Sequence, residues 1–453
     1  MSFPGDFIWG VAAASYQIEG GNGEDGRGTS VWDMFCKQPG KVKGGESANV
    51  GPDHYHRWRE DIDLMAKLGI QAYRLSIAWP RVLPDGIGKP NVKGLAFYDK
   101  LIDGLLENGI DPWITLFHWD YPYELFLKGG WLHPDSSDWF VEYTRVVVEK
   151  LSDRVKYWMT LNEPQCFIHF GHQTGSNAPG LKLNFPEVLT AGHNVLLAHG
   201  KAVQIIRTYA KMPPQVGAAL VGIISIPAMD TPQDLDAARQ ATFAIMEKSL
   251  WNNTWWADPM IRGEYPADGL KIFGSLMPKV SADDMEMIRQ PMDFYGVNIY
   301  TADKVKAEEE GWQTLGPEPG SARTAMDWTI VPESLYWGPK FFYERYGLPI
   351  VIAENGMANL DWIGVDGKVH DPQRIDYLHR YLKEYQRAIS DGVSARAYFQ
   401  WSILDNFEWV EGFSKRFGLV YVDYVSGRRI QKDSATWYKK CIVTNGKILN
   451  VDL

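Results

Sequence analysis

The sequence predicts an α/β protein that forms a single (β/α)8 TIM barrel over residues 1–453, with its active site at the C-terminal ends of the strands. Two observations carry this prediction. Eight short apolar segments are distributed along the chain, and stretches with helical periodicity lie between them. No Gly-, Ser- or Pro-rich linker, low-complexity stretch or charge block interrupts the chain, so we expect one catalytic domain.

The eight apolar segments have the length and composition of buried parallel strands. They cover residues 7–13, 72–79, 112–119, 157–161, 216–223, 293–299, 349–352 and 395–401. Four of them follow a recurring sequence pattern, in which a helix ends at a glycine and one apolar residue precedes the strand. These glycines are Gly69, Gly109, Gly347 and Gly392. Because glycine adopts the left-handed conformation that ends a helix, the repetition indicates helices that alternate with strands.

Helical spacing of apolar residues predicts helices over residues 95–106, 139–151 and 372–388. The last of these begins at Asp371-Pro372, an N-cap residue followed by a proline in the first turn. The alternative architecture is an open, doubly wound sheet. Against that alternative, no G-x-G-x-x-G motif follows the first predicted strand.

Composition and charge disfavour several classes of partner. The formal net charge is −10 and no Lys/Arg cluster is present, which argues against nucleic acid. No apolar run reaches the roughly 18 residues of a membrane span and no signal peptide is visible, so we expect a cytoplasmic protein without membrane contact. The cysteines Cys36, Cys166 and Cys441 are expected to be free thiols. Aromatic residues make up 13%, which suits a sugar site, because the apolar faces of sugar rings lie flat on aromatic rings.

Polar and aromatic side chains follow most of the predicted strands, at the end where such a barrel places its active site. They are Gln17, Arg74, His118, Trp119, Asn162, Glu163, Asn298, Tyr300, Glu354, Trp401, Glu408 and Trp409. A purely structural barrel has no need of this set at one end. Glu163 and Glu354 suggest acid–base and nucleophilic chemistry. Pro164 fixes the chain after Glu163, and Gly356 is expected to permit an unusual turn after Glu354.

Other catalytic classes lack their motifs. The pairs His54/His56 and His169/His172 look like metal ligands, but neither lies in an H-E-x-x-H pattern or beside a pair of thiolates. No predicted strand ends in a lysine that would form a Schiff base, and no P-loop is present. We therefore expect neither a metal nor an organic cofactor.

Taken in order, these segments resemble glycoside hydrolase family 1, the β-glucosidases and their relatives. The matching segments are Phe7 to Gly20, Tyr73 to Arg81, His118-Trp119, Asn162-Glu163-Pro164, Glu354-Asn355-Gly356 and Trp401 to Trp409. The resemblance covers nearly the whole chain. It implies hydrolysis of β-glucosides and short β-linked oligosaccharides, such as those of cellulose degradation, without metal or cofactor.

The resemblance also implies a role for each site residue. Glu163 is expected to be the acid/base and Glu354 the nucleophile, with Arg74 and Tyr300 holding and tuning Glu354. Asn162 is expected to bind the sugar 2-hydroxyl, and Trp401 to form the floor beneath the sugar ring. The other substrate-binding positions are expected to be Gln17, His118, Trp119, Asn298, Glu408, Trp409 and Phe417.

Two residues narrow the expected substrate. Glu408 favours an unphosphorylated sugar, because a carboxylate repels a phosphate at close range. Family members specialised for thioglucosides carry Gln in place of the acid/base, so Glu163 favours ordinary O-glycosides.

The chain departs from frequent family residues at Gln165, where a tryptophan often lines the aglycone side, at Ala353 and at His172. These departures leave the leaving-group preference open. The segment from Lys304 to Thr324 is expected to shape the aglycone side.

The expected reaction is a retaining double displacement, which needs two carboxyl groups about 5 Å apart. Like-charge repulsion from Glu354 is expected to raise the pKa of Glu163, while Arg74 and Tyr300 keep Glu354 ionised. The alternatives are a transglycosidase with the same residues, a β-galactosidase or β-fucosidase of overlapping specificity, and a non-catalytic sugar-binding barrel. The presence of both carboxylates disfavours the last. No oligomeric state follows from the sequence.

Overall fold

Eight parallel strands form the centre of the molecule. The computed structural model describes residues 2–49 and 51–450, and within them the chain forms thirteen strands. They are β1 (Ile8–Ala13), β2 (Ala72–Ser76), β3 (Asp111–Phe117), β4 (Tyr157–Asn162), β5 (Gln215–Val221), β6 (Ser225–Pro227), β7 (Tyr295–Asn298), β8 (Asp303–Ala307), β9 (Trp312–Leu315), β10 (Ile350–Asn355), β11 (Ala395–Trp401), β12 (Val420–Val422) and β13 (Arg429–Gln431). A closed barrel runs β1-β2-β3-β4-β5-β7-β10-β11 and back to β1. All eight predicted strands are present, and the (β/α)8 prediction is confirmed.

Helices fill the connections between the barrel strands. They are α1 (Ser15–Ile18), α2 (Val31–Phe35), α3 (His54–Leu68), α4 (Trp79–Val82), α5 (Val92–Glu107), α6 (Tyr123–Leu127), α7 (Ser136–Leu151), α8 (Phe185–Tyr209), α9 (Pro232–Phe243), α10 (Thr254–Arg262), α11 (Ala267–Phe273), α12 (Ala282–Ile288), α13 (Ser334–Tyr346), α14 (Pro372–Ser390) and α15 (Asp433–Val443). The predicted helices lie within α5, α7 and α14. The glycines predicted to end helices have positive φ, for example 74° at Gly69 and 68° at Gly347.

The barrel interior is packed with aromatic rings. Trp113 of β3 stacks on Tyr157 of β4 with 4.0 Å between ring centroids, and Phe294 and Phe399 pack against it at 5.5 and 5.1 Å. Removing a buried ring of this size costs about 3–5 kcal/mol. The interior is therefore a core, and any ligand site must lie beyond the strand ends.

Segments outside the barrel build walls above its C-terminal end. A π-helix, Cys166–Thr174, follows β4 almost directly. Strands β6, β8 and β9 form a small three-stranded sheet, and β12 pairs with β13 as an antiparallel hairpin. None of the helices in the described ranges is long and apolar enough to cross a lipid bilayer.

A buried ion cluster ties the loops after β10 and β11 together. Lys432 donates to Asp361 at 2.6 Å and to Asp405 at 2.7 Å, and all three side chains are fully buried. Arg374 also pairs with Asp361, at 2.7 Å. Asp371 stands at the predicted N-cap of α14, but its carboxylate accepts hydrogen bonds from Arg374 and from both the N–H and the hydroxyl of Ser434 rather than capping the helix.

Candidate active site

A cavity of about 500 Å³ opens at the C-terminal ends of the barrel strands. Ten of the residues predicted for the site line it: His118, Trp119, Glu163, Asn298, Tyr300, Glu354, Trp401, Glu408, Trp409 and Phe417. The other three, Gln17, Arg74 and Asn162, are buried in its wall and form hydrogen bonds to lining residues. The structure therefore brings the whole predicted set together from strands that are far apart in sequence.

Glu354 ends β10 beside a buried cation. Arg74 Nη1 donates to Glu354 Oε1 and, at 3.1 Å, to the carbonyl of Ala353, while Nε donates to Thr115 Oγ1 at 3.1 Å. The Tyr300 hydroxyl donates to Glu354 Oε2 at 2.7 Å. Burial raises the pKa of Glu354, whereas the Arg74 cation and the Tyr300 hydrogen bond favour its ionised form.

Glycine is required at position 356 for a reason other than the predicted one. Its φ is not positive, so no unusual backbone turn requires glycine there. Instead, a Cβ at this position would lie 2.0 Å from the carbonyl oxygen of Trp401. Only glycine lets the strand end carrying Glu354 approach Trp401 this closely.

Glu163 follows β4 in an environment without a direct cation. Asn298 Nδ2 donates to its Oε1 at 2.8 Å, and the Cys166 thiol donates to its Oε2 at 3.2 Å. The pKa of Glu163 is raised to about 7, first by burial and second by the charge of Glu354. The repulsion from Glu354 predicted to raise this pKa is present, and removal of the carboxyl group from water, which the sequence analysis did not consider, is the larger cause.

One amide connects the two carboxylates. Asn298 pairs with Glu354 in the register between β7 and β10, and its side-chain amide favours the ionised form of both Glu354 and Glu163. Asn298 Nδ2 donates to Glu163 Oε1 at 2.8 Å, and the charge of Glu354 raises the pKa of Glu163. The two carboxyl groups thus line one cavity and interact electrostatically.

Asn162 forms the second bridge within the site. Its Oδ1 accepts from Arg74 Nη2 at 2.5 Å and from Asn298 Nδ2 at 3.1 Å, and its Nδ2 donates to His118 Nε2 at 3.1 Å. Burial, together with the Arg74 charge, holds the pKa of His118 well below its usual range. His118 is therefore neutral, with its hydrogen on Nδ1.

Glu408 is a third carboxyl group in the lining of the cavity. Gln17 Nε2 donates to Glu408 Oε2 at 3.4 Å, to the carbonyl of Phe407 at 2.8 Å and to Asn406 Oδ1 at 3.2 Å. The pKa of Glu408 is raised to about 8, first by burial and then by the charges of Glu354 and Glu163. Two buried carboxyl groups, of Glu163 and Glu354, and the partly buried carboxyl group of Glu408 thus share one pocket.

Aromatic rings form the floor and one wall of the pocket. Trp409 packs on Trp119 with 4.5 Å between centroids, and His118 stacks on both Trp409 and Trp401 at 5.8 and 5.9 Å. Behind this layer Tyr16 lies parallel to Trp409, with an angle of 5° between the rings. These flat apolar surfaces suit the C–H faces of a sugar ring.

Three residues of the site have a backbone conformation that side chains rarely adopt. The φ angles of Trp119, Glu163 and Trp409 are 76°, 48° and 51°. Bulky residues in the left-handed region are uncommon, and such strain concentrates at functional sites. No sequence pattern signalled it, because these residues are not glycine or asparagine.

The outer half of the cavity contains residues that the sequence analysis did not select. They are Cys166, Phe170, Ser176, Asn177, Ile223, Trp251, Thr301, Asp303, Met326 and Trp328. Cys166 was predicted only as a free thiol, and all three cysteines are indeed unpaired and buried. The segment Lys304 to Thr324 does not line the cavity, so its predicted role on the aglycone side was wrong; it forms most of β8 and β9, and β8 packs against α9.

The histidine pairs considered as metal ligands have other partners. His54 bonds to Asp61 at 2.7 Å, and His172 Nδ1 donates to the carbonyl of Phe167 at 2.8 Å. His169 contacts Gln173 at 3.1 Å and Ser249 at 3.3 Å.

A (β/α)8 barrel whose strand ends present two carboxyl groups in one aromatic cleft of sugar size is typical of a glycoside hydrolase. The sequence profile of glycosyl hydrolase family 1 matches residues 1–447, and the chain belongs to this family. The predicted family and enzyme class are thereby confirmed, and the protein is an O-glycoside hydrolase of the β-glucosidase kind.

Individual relatives match over nearly their whole length. The chain is 46% identical to a 1,4-beta-D-glucan glucohydrolase of Thermotoga neapolitana, covering 98% of this chain and 99% of that one. It is 45% identical to beta-glucosidase A of Thermotoga maritima, covering 98% of each. Among solved structures, the beta-glucosidase of Thermotoga maritima in complex with deoxynojirimycin has a TM-score of 0.90 and 44% identity, covering 98% of this chain and 99% of that one.

Proposed function

We propose that this enzyme hydrolyses terminal, non-reducing, unphosphorylated β-D-glucosyl residues by a retaining double displacement, and that Glu354 is the nucleophile and Glu163 the acid/base. The observation that carries the proposal is the different setting of two carboxyl groups in one cavity. Glu354 lies against the Arg74 cation, whereas Glu163 has only the neutral donors Asn298 and Cys166 and a pKa of about 7. Because the surroundings of the two carboxyl groups differ in this way, the pair supplies one ionised and one protonated carboxyl group.

The first step forms a covalent intermediate. A Glu354 oxygen attacks the anomeric carbon, the bond from that carbon to the glycosidic oxygen breaks, and Glu163 donates its proton to the leaving oxygen. Tyr300 and Arg74 orient the Glu354 carboxylate for this attack. Preorganised groups of this kind contribute to rate because they need no rearrangement in the transition state.

The second step releases the sugar. Once Glu354 is esterified its charge is gone, so the second cause of the raised Glu163 pKa disappears. Glu163 then accepts a proton from water while that water attacks the anomeric carbon and displaces Glu354. One residue thus acts first as acid and then as base.

Recognition of the sugar falls to the side of the pocket around Glu408. In this proposal Gln17, His118, Glu408 and Trp409 bind hydroxyl groups, Asn162 binds the 2-hydroxyl, and Trp401 supports the ring. Apart from His118, the acidic and basic residues that line the described cavity are Glu163, Asp303, Glu354, Glu408 and Glu411, without a lysine or arginine among them. Such a lining offers no cation to a sugar phosphate and supports a neutral glucosyl group.

We further propose that residues 1–453 act as one catalytic unit in the cytoplasm, on aryl or alkyl glucosides and on short oligosaccharides of the kind released from cellulose. Three unpaired, buried thiols suit a reducing compartment.

The test of the mechanism is rescue of the nucleophile variant. Glu354→Gly should abolish hydrolysis of an aryl β-glucoside, and added azide should restore turnover and yield the α-glucosyl azide, because the small anion attacks from the face that Glu354 occupied. Proton NMR of the product anomer provides the measurement. Formation of the β-azide would reject Glu354 as the nucleophile.

A further inference from the structure

We propose that Trp251, packed on Phe170, is the surface on which this enzyme binds the aglycone, that this surface selects planar apolar aglycones, and that Gln165 is the positioning residue for it. The inference rests on the proposed function, because the position of Glu163 defines where the leaving group lies.

The cavity lining continues from Glu163 to two aromatic rings that are not among the sugar-binding residues. Cys166 contacts Glu163 at 3.2 Å, and Phe170, which follows Cys166 in the π-helix, packs on Trp251 in the same lining. A leaving oxygen that receives its proton from Glu163 therefore carries its substituent toward the two rings.

The two rings form one continuous apolar face. The centroids of Phe170 and Trp251 are 4.8 Å apart, with an angle of 46° between the planes. Trp328 lies in the lining of the same cavity, where it packs on Tyr300 at 5.2 Å and on Phe417 at 6.2 Å. The outer cleft thus presents aromatic side chains from three separate segments of the chain.

The loop that carries Trp251 is fixed to the π-helix and to the end of β5. The backbone N–H of Trp251 donates to Ser249 Oγ at 3.1 Å, and Ser249 Oγ contacts His169 Nδ1 at 3.3 Å. Asn253 Nδ2 donates to the carbonyl of Ile223 at 2.7 Å, and Asn253 Oδ1 accepts from its N–H at 3.1 Å. Trp251 is therefore held in place before any ligand arrives.

Gln165 connects this loop to the acid/base segment. It is fully buried and does not line the cavity. Its Nε2 donates to the carbonyl oxygens of Val221 and Asn252, each at 3.5 Å, and its Oε1 accepts from the Val221 N–H at 3.4 Å. Asn252 directly follows Trp251. A tryptophan at position 165 could not accept the hydrogen bond from the Val221 N–H. Gln165, which stands where a tryptophan is frequent in the family, thus supports the ring of Trp251 instead of supplying a ring itself.

The chemistry of the outer cleft favours an aromatic aglycone over a second sugar. Its apolar side chains are Phe170, Val221, Ile223, Trp251, Met326 and Trp328. A pyranose bound here would depend on Ser176, Asn177, Thr301 and Asp303 of the lining for its hydroxyl groups, and any hydroxyl left against the apolar side chains without a partner would weaken binding. A planar aryl group stacks on the rings and needs no hydrogen-bond partner.

The experiment compares three substrates in variants at position 251. The substrates are β-glucosyl fluoride, whose leaving group has no aglycone, a naphthyl β-glucoside and cellobiose. In Trp251→Ala, kcat/KM for the naphthyl glucoside should fall about ten-fold more than kcat/KM for glucosyl fluoride, the usual worth of an aromatic contact. Trp251→Phe should recover most of that difference, and the wild type should have a lower KM for the naphthyl glucoside than for cellobiose. Equal losses on fluoride and naphthyl glucoside would overturn the assignment of Trp251.

Gln165 is tested through the same ratio. Gln165→Ala should reproduce part of the aryl-selective loss, with the change in KM rather than in kcat, and should add nothing to that ratio in the Trp251→Ala background. A loss that is equal on glucosyl fluoride, or fully additive, would show that Gln165 acts only on folding or on Glu163. Trp362→Ala, at an exposed tryptophan outside the cavity lining, is the matched control. A wild type unable to hydrolyse glucosyl fluoride would refute the proposed function itself rather than this inference.

Discussion

The Cys166 thiol donates a hydrogen bond to Glu163 Oε2 across 3.2 Å, while Asn298 donates to the other oxygen of the same carboxyl group. Both donors favour the ionised form, and burial opposes them. The thiol therefore lowers a pKa that would otherwise lie still higher than about 7.

We expect Cys166→Ala to move the basic limb of the kcat/KM profile upward, by up to about one pH unit, because a lost hydrogen bond to the carboxylate makes Glu163 harder to ionise. Cys166→Ser, which keeps a donor, should leave the limb near its wild-type position. The measurement is a pH–rate series with an aryl β-glucoside. Cys441→Ala removes another buried thiol, outside the cavity lining, and should leave the limb in place; a downward move in Cys166→Ala would contradict the hydrogen-bond account.

Loss of the proposed acid should depend on the leaving group. Glu163→Ala should lower kcat/KM by roughly 10²–10⁴ for glucosides with basic leaving groups, the usual contribution of general acid catalysis, and by less for acidic phenols that leave without a proton. A series of aryl glucosides spanning several units of phenol pKa measures the slope. The same loss across the whole series would assign the proton transfer to another residue.

The two causes of the raised Glu163 pKa can be separated by removing the charge next to it. Glu354→Gln should lower the pKa of Glu163 from about 7, because the repulsion is lost, but should leave it above the ordinary glutamate value, because burial is the larger cause. NMR titration of carboxyl-labelled glutamate in the inactive variant measures this directly. A fall to the ordinary value would make repulsion the leading cause after all.

The buried ion cluster should contribute strongly to stability. Lys432→Met leaves Asp361 and Asp405 buried without this cation, and we expect the free energy of unfolding to fall by about 3–5 kcal/mol. The exposed pair of Lys93 with Asp25 offers the contrast, and Lys93→Met should change that free energy by less than about 1 kcal/mol. Urea denaturation of the wild type and of both variants measures the two losses in the free energy of unfolding. Similar losses would show that the buried cluster stabilises the protein no more than an exposed ion pair does.

The barrel and the sugar-binding half of the site could be predicted because both follow from strand ends. Arg74 and Glu354 are 280 residues apart, yet each lies at or near the end of a buried strand, and parallel strands in a barrel bring those ends to one face. The order of the motifs added the expected roles. The positions of the strand ends and the order of the motifs can both be recognised without knowing the conformations of the loops.

The aglycone half could not be predicted in this way. Trp251 precedes α10 in a loop without periodicity, and Cys166 begins a π-helix, which no apolar spacing indicates. The size of the burial effect on Glu163 and Glu408 also depends on how closely the walls pack. Such packing is a property of the assembled tertiary structure and leaves no pattern in the chain.

The left-handed backbone at Trp119 and Trp409 has a consequence for how this enzyme tolerates change. Each such residue costs on the order of 1–3 kcal/mol, which the rest of the barrel must offset. Glycine at either position would relieve the strain, but it would also remove a buried ring, and that loss of about 3–5 kcal/mol outweighs the relief. Heat resistance and turnover therefore favour the same residue at these two positions, so a screen for hardier forms of this protein should retain both tryptophans.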